Sequence, residues 1–131
     1  MPSIFTKIIN GEIPCYKLYE DEHYFSFLDI NPIRRGHALV VPKVEVDYIF
    51  DLEDDLLGGL HVFAKKVAVA IKEIVPCKRI GTTVLGLEVP HAHLHLVPID
   101  DINGINFRLS QPANSDELAS LAEEIRGQLE G

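Results

Sequence analysis

Residues 91–98 read His-Ala-His-Leu-His-Leu-Val-Pro, and this stretch decides how the rest of the chain is interpreted. Successive side chains of a β-strand point to opposite faces, so residues two apart share a face. As a strand, the stretch would send three apolar side chains into a core, those of Ala92, Leu94 and Leu96. The opposite face would carry three imidazoles, those of His91, His93 and His95. A helix fits poorly because its period of about 3.6 residues would scatter the histidines around the axis.

Three explanations fit the histidine row. A purely structural or solvent-facing row is the first, although each buried imidazole needs partners for one donor and one acceptor. Metal binding is the second, because neutral imidazole is a common zinc ligand. On a strand, however, positions 91 and 95 lie about 13 Å apart at ~3.3 Å per residue, which is too far for all three rings to bind one ion. Two neighbouring histidines of the row could still share an ion with ligands from elsewhere in the chain. The third, which we favour because it uses all three rings, is a phosphate site in which one imidazole attacks phosphorus and its neighbours donate hydrogen bonds and move protons.

The composition is that of an ordinary globular protein. The chain has 131 residues, 47% hydrophobic and 24% charged, which predicts a single domain over residues 1–131 with a substantial core. Apolar runs fall short of the ~20 residues that a membrane span needs, and no targeting segment is recognised, so we expect a cytoplasmic protein. Cys15 and Cys77 form no motif and are expected to be reduced. The net charge of −8 argues against general nucleic-acid binding but allows one bound phosphate.

Hydrophobic periodicity predicts the elements around the histidine row. They are a helix over 3–10, strands over 16–19, 24–30 and 37–41, a helix over 53–75 and a strand over 79–89. The long helix contains Gly58-Gly59, a pair that weakens the helix locally. Close packing against a partner would be one reason to tolerate it. After a polar loop, a last helix begins at Ser115, a suitable N-cap that precedes two acidic residues. Clustered strands with few intervening helices indicate an α+β fold, an antiparallel sheet of about five strands with one long helix and shorter terminal helices.

Three segments resemble the histidine triad (HIT) family. The alternating histidines of residues 91–97 resemble the signature that gives the family its name. Residues 31–43, Asn-Pro-Ile-Arg-Arg-Gly-His-Ala-Leu-Val-Val-Pro-Lys, resemble the turn and strand ahead of it, and residues 4–14, Ile-Phe-Thr-Lys-Ile-Ile-Asn-Gly-Glu-Ile-Pro, resemble its opening segment. The matches come in the family's order, so the triad-bearing core would span about 4–98, and the resemblance thins over the loop and helix of 100–130. It implies the family's α+β fold, commonly with the sheet continued across a homodimer.

The resemblance also implies a reaction, that of the Hint-like nucleotide hydrolases and transferases. In these enzymes the middle histidine attacks the α-phosphorus of a nucleoside phosphoramidate or polyphosphate, and water hydrolyses the nucleotidyl-histidine intermediate. His93 would be that nucleophile and His95 would donate to a phosphate oxygen. His91 would hold the hydrogen-bond network, and His37 would support the triad as the family's fourth histidine does, unless it faces solvent at the start of its strand. A neutral imidazole suits the attack because its usual pKa of about 6.5 leaves it largely unprotonated near pH 7.

The same resemblance predicts where a purine nucleotide or nucleoside phosphoramidate binds. Asp29, at the end of the second strand, would accept hydrogen bonds from both ribose hydroxyls, although a turn cap before Asn31-Pro32 explains this aspartate as well. The base would lie in an apolar slot whose walls, each equally explained as ordinary core, are Phe5, Phe27, Ile30 and Leu39. Gly86 and Val89, from the loop ahead of the triad, complete the predicted nucleotide-binding set.

The chain departs from the family pattern at several positions. Leu87 stands where many members carry glutamine, and Glu88 stands where a small hydroxyl residue often assists the leaving group; a carboxylate there repels an anionic substrate unless it is protonated or turned away. Ser3 and Thr6 replace the cysteine pair through which some members bind structural zinc, so we expect neither structural metal nor cofactor. Two alternatives stay open, namely a nucleotide-binding or interaction module with weak or lost catalysis, and a dinucleoside polyphosphate hydrolase.

Overall fold

The computed structural model describes residues 2–130, which fold in the α+β arrangement that the sequence predicts. The elements are α1 (Ile4–Ile9), β1 (Lys17–Glu20), β2 (Tyr24–Leu28), β3 (Ala38–Pro42), α2 (Asp54–Ile74), β4 (Arg79–Thr83), β5 (Leu94–Ile99) and α3 (Ser115–Glu130), with short 3-10 helices at Ile49–Asp51 and Phe107–Leu109. Within these residues, five strands form one antiparallel sheet in the order β1-β2-β3-β5-β4. None of the helices described is both long and apolar enough to cross a membrane.

The two faces of the sheet are covered by different helices. Because side chains alternate along a strand, β2 and β3 send one set of residues to each face. One set, which includes Leu28 and Val40, packs with α2 and α3 in the larger core, and Leu94 and Leu96 of β5 join it there. The other set packs with α1 in a smaller cluster made of Phe5, Phe25, Phe27, Leu39 and Val41. Both β2 and β3 are buried throughout, so the centre of the sheet separates two apolar layers.

The histidine strand begins later than the sequence predicts. The alternation itself is confirmed, because Ala92, Leu94 and Leu96 lie in the larger core. Strand β5, however, starts at Leu94, so His91 and His93 precede it. The pairing with β3 covers Ala38 to Val40 and stops near Pro42, which has no N–H to contribute to a ladder. The Pro42 carbonyl accepts a hydrogen bond from the His91 ring instead.

Three other predicted boundaries shift for local reasons. Strand β4 ends at Thr83 and not at residue 89, and the loop that follows turns at Gly86, whose φ of 71° is in the left-handed region that glycine tolerates. Strand β2 ends at Leu28 and not at residue 30, because the Asn31 N–H bonds back to the Asp29 side chain and turns the chain. Ser115 is not the N-cap of α3. Asn114 caps it, with its side-chain oxygen accepting from the N–H groups two and three residues on.

Candidate active site

The three triad histidines and His37 gather on the face of the sheet that carries α1. Phe27, Leu39, His95 and Thr83 lie opposite one another on successive strands and so form a row on this face. The His95 ring centroid is 5.1 Å from that of His93 and 5.2 Å from that of His37. Phe5 of α1 closes the other side, with its centroid 5.8 Å from His91 and 5.0 Å from His93. All four histidines are buried, with 0–7% of their surface exposed.

The His91 ring is held at both nitrogens. Its Nε2 lies 2.8 Å from the Pro42 carbonyl, and because a carbonyl only accepts, Nε2 must carry the proton. Burial lowers the pKa of His91, so the ring is neutral and Nδ1 holds a lone pair. The Ser3 hydroxyl, 2.8 Å away, donates to that lone pair. His91 therefore has no nitrogen left for a substrate.

The His93 ring is held at one nitrogen only. Its Nδ1 lies 2.8 Å from the His91 carbonyl and must donate to it. In the neutral ring the lone pair is then on Nε2. No described residue bonds to this Nε2. Every buried side-chain nitrogen or oxygen within residues 2–130 has a hydrogen-bond partner, so an Nε2 without one is not a buried atom. The lone pair of His93 is therefore exposed to the site, as nucleophilic attack requires.

The His95 ring is fixed through His37. The Ile33 N–H donates to Nδ1 of His37 at 3.0 Å, so the proton of His37 is on Nε2. That proton is donated to Nδ1 of His95 at 2.9 Å, which leaves the proton of His95 on its own Nε2. Burial lowers the pKa of His95 to about 3 and also lowers that of His37, so both rings are neutral. His95 thus presents an N–H donor beside the lone pair of His93.

Asp29 caps the turn after β2 and also reaches the edge of the histidine group. One carboxylate oxygen accepts the Asn31 N–H at 2.8 Å and caps the turn. The other oxygen lies 3.6 Å from Nε2 of His37, at the edge of the histidine group. Its side chain is 21% exposed, so lone pairs of this carboxylate remain open to a ligand.

The predicted apolar slot is assembled in part. Phe5, Phe27 and Leu39 pack in the smaller cluster beside the histidines, and Val89 packs against it. Ile30 follows Asp29 and is 58% exposed, so it lies at an open edge and not in the cluster. Gly86 lies at the turn of the loop after β4 and is not part of the cluster. In the same loop, Leu87 is 89% exposed, and the Glu88 side chain is exposed as well.

Sequence reasoning missed Phe107, which covers the site from the C-terminal side. Its ring lies edge-on to His95 with centroids 4.9 Å apart, and it is 6.3 Å from His37. It belongs to the short 3-10 helix Phe107–Leu109, in a loop that reads as polar. A single aromatic residue in such a loop gives no periodic signal, so only the folded structure reveals the contact.

The site also contains three groups that could bind a metal, and their hydrogen bonds argue against it. Ligand atoms of Asp29, His37 and His95 lie within 4.8 Å of one another. A metal on Nε2 of His37 would force the proton to Nδ1, where it would face the Ile33 N–H. The arrangement therefore favours a hydrogen-bonded chain of imidazoles. Ser3 and Thr6, the positions of the cysteine pair in some members, hydrogen-bond Glu45 here, and Ser3 also bonds the His91 ring.

Comparison with known proteins agrees with this geometry. The HIT domain family profile matches residues 10–102. An uncharacterized HIT-like protein of Methanocaldococcus jannaschii is 38% identical over 128 residues, 95% of this chain and 98% of that one. The adenosine 5'-monophosphoramidase of Saccharomyces cerevisiae is 36% identical over 131 residues, 98% of this chain and 83% of that one. A crystal structure of a HIT-like protein involved in cell-cycle regulation from Bartonella henselae superposes with a TM-score of 0.83 at 29% identity, over 96% of this chain and 95% of that one. The chain therefore belongs to the HIT domain family.

Proposed function

We propose that this protein hydrolyses or transfers the nucleotidyl group of purine nucleoside phosphoramidates, by attack on the α-phosphate. The observation that carries the proposal is the pairing of a free lone pair on Nε2 of His93 with an N–H donor on Nε2 of His95. Relatives named adenosine 5'-monophosphoramidase, at 36% and 34% identity over 98% of the chain, support this choice of substrate.

The first half of the reaction would form a bond between Nε2 of His93 and the α-phosphorus. The phosphorus–nitrogen bond of the substrate breaks, and the amine leaves with the bonding electrons and takes a proton from solvent; the water that attacks in the second half returns one proton to solvent. The His95 N–H donates to a phosphate oxygen and stabilises the charge that develops there. The His93 ring becomes cationic, and its Nδ1–H bond to the His91 carbonyl stabilises that cation.

The second half would return the enzyme to its starting state. Water attacks the same phosphorus, the bond to His93 breaks, and the nucleoside monophosphate is released. With a different nucleophile in place of water the same intermediate gives transfer. Asp29 would hold the ribose hydroxyls while Phe5, Phe27, Leu39 and Ile30 line the base, with Val89 and Gly86 on the loop side.

The test is hydrolysis of adenosine 5'-phosphoramidate by the parent protein and by His93→Ala. We expect the variant to lose at least about a thousandfold in kcat, because no other ring has a free lone pair in position. His23→Ala is the matched control, since His23 is an exposed histidine with no contact to the triad. If His93→Ala turns over as fast as His23→Ala, the proposed nucleophile is wrong.

A second candidate function is a nucleotide-binding module with weak or lost catalysis. The exposed Leu87 and Glu88 favour it, because the loop after β4 offers neither an amide nor a small hydroxyl at these positions. Calorimetry with AMP separates the two functions, since binding without turnover of a phosphoramidate supports the module. Preferential cleavage of a bridged dinucleotide would instead support a dinucleoside polyphosphate hydrolase.

The assembly that we propose is a cytoplasmic homodimer. In the part of the chain described, β4 pairs with β5 alone, so its outer edge is available for continuing the sheet into a second copy. Cys15 and Cys77 are both free, which fits a reducing compartment. Sedimentation equilibrium would give twice the 14.6 kDa chain mass if the dimer forms.

A further inference from the structure

The first turn of α1 is bonded to two segments that are distant from it in sequence. The Glu45 carboxylate, after β3, accepts the Ser3 N–H at 2.5 Å and the Thr6 hydroxyl at 2.6 Å, both on the same oxygen. The Ser3 hydroxyl accepts the Thr6 N–H as the N-cap of α1 and donates to Nδ1 of His91. These bonds join α1, the segment after β3 and the loop ahead of β5.

Ser3 and Glu45 are held in the states that these hydrogen bonds need. Ser3 is 5% exposed, so its hydroxyl has little access to water. The hydrogen bond from the Ser3 N–H lowers the pKa of Glu45 to about 2, with Thr6 adding to the effect, so this side chain stays a carboxylate near neutral pH. The neighbouring Val46 carbonyl accepts the Ala92 N–H at 2.7 Å. This bond connects the segment after β3 directly to the loop ahead of β5.

The bonds lead to the nucleophile through the backbone. His91 is fixed by Ser3 on one side and by Pro42 on the other, and its carbonyl accepts the Nδ1–H of His93. This last bond decides both the tautomer of His93 and the direction of its lone pair. A displacement of His91 would therefore move the lone pair away from phosphorus.

We propose that Ser3, Thr6 and Glu45 form a clamp that positions His91 and, through its carbonyl, the His93 nucleophile. The proposal rests on the proposed function, since it assumes attack by His93. The three are positioning residues, because they act through His91. The clamp is expected to affect the chemical step and not nucleotide binding, because the apolar slot and Asp29 involve none of its three side chains.

The first experiment compares Ser3→Ala with Asn114→Ala, which removes the N-cap of a helix on the other face of the sheet. Both lose a helix cap, but only Ser3→Ala removes the donor to His91. We expect Ser3→Ala to lower kcat for adenosine 5'-phosphoramidate about tenfold, with the AMP dissociation constant within about twofold of the parent. Ser3→Thr keeps the hydroxyl and should restore kcat. Equal activity of Ser3→Ala and Asn114→Ala would overturn the clamp.

The second experiment compares Glu45→Ala with Glu45→Gln. Alanine removes the shared acceptor of Ser3 and Thr6, whereas glutamine keeps one amide oxygen in its place. We expect kcat to fall about tenfold in Glu45→Ala and to recover in Glu45→Gln, with Glu124→Ala, an exposed glutamate of α3, as the control. Nitrogen-15 NMR of the His93 ring should show one tautomer in the parent and a mixture in Glu45→Ala; a single unchanged tautomer would contradict the proposal.

The outcome for His93 separates the two proposals. If His93→Ala is inactive and the clamp variants match their controls, the clamp is wrong and the proposed reaction stands. If His93→Ala is as active as the parent, the proposed reaction is wrong whatever the clamp variants do.

Discussion

At the scale of single residues, the chemistry of the site depends on which nitrogen of each imidazole carries the proton. Backbone groups decide this for each ring, directly or through one neighbour: Pro42 for His91, the His91 carbonyl for His93, and the Ile33 N–H for His37 and hence for His95. Because the backbone cannot titrate, these tautomers are built into the fold. The tautomers are therefore set in the absence of any ligand.

Neutral buried histidines make the fold sensitive to acid. Burial lowers the pKa values of His37, His91 and His95, so the unfolded chain binds more protons than the folded chain once the pH falls below about 6.5. Their contribution to stability is complete above that pH and is lost as the pH decreases. With a folded pKa of about 3, His95 alone should cost about 2 kcal/mol of unfolding free energy between pH 7 and pH 5.

Urea unfolding at the two pH values measures this loss. His95→Gln should show a smaller decrease between pH 7 and pH 5 than the parent, because glutamine does not titrate. His23→Ala, which removes an exposed histidine, should keep the parent's decrease. An equal loss in the parent and in His95→Gln would mean that folding does not lower the pKa of His95.

The sequence predicts the residues of the site better than their connections. Alternation with a period of two is a local signal, so the three triad histidines could be placed on one face before the structure was known. The bond between Ser3 and Glu45 spans 42 residues and the one between Ser3 and His91 spans 88, and neither has a local pattern. The roles of His93, His95 and Asp29 stay predictions until they are tested.

At the scale of elements, the sequence predicted which segments are helices and strands, and the errors are at their ends. The ends of β2, β4 and β5 depend on particular groups: a side-chain turn at Asp29, the left-handed Gly86 and the missing N–H of Pro42. Periodicity reports the buried face of an element and not the residue at which its ladder stops. Local hydrogen bonds and backbone conformation decide where the ladder stops, whereas packing decides which glycine of the α2 pair is needed.

The two adjacent glycines of α2 should respond oppositely to alanine. A Cβ on Gly58 meets nothing within 4 Å, so Gly58→Ala should stabilise the fold by about 0.5–1 kcal/mol through helix propensity. A Cβ on Gly59 would lie 2.1 Å from the Tyr24 hydroxyl, which donates to the Leu56 carbonyl. Gly59→Ala should therefore destabilise by about 1–3 kcal/mol. Urea unfolding measures both, and a stabilising Gly59→Ala would show that Tyr24 can move aside.

At the scale of the whole molecule, the sheet separates the larger core from the candidate site. One face packs against α2 and α3 in the larger core, and the other carries the histidines and the cluster with α1. Helix α3 lies beyond residues 10–102, which match the family profile, yet it contributes Leu118, Leu121, Ala122 and Ile125 to the core. The helix is therefore part of the packed fold although it lies outside the profile match.

Truncation of one buried side chain on each face tests this separation. Ile125 is fully buried on α3, and Phe27 is 4% exposed in the cluster beside the triad. Replacing either residue with alanine should lower the free energy of unfolding by about 2–5 kcal/mol. At a temperature where both variants are folded, Ile125→Ala should keep the parent's KM for adenosine 5'-phosphoramidate. Phe27→Ala should raise KM, because it removes a wall of the predicted base slot. If Ile125→Ala raises KM as much as Phe27→Ala, packing on the helical face controls the site through the sheet, and the two faces do not act independently.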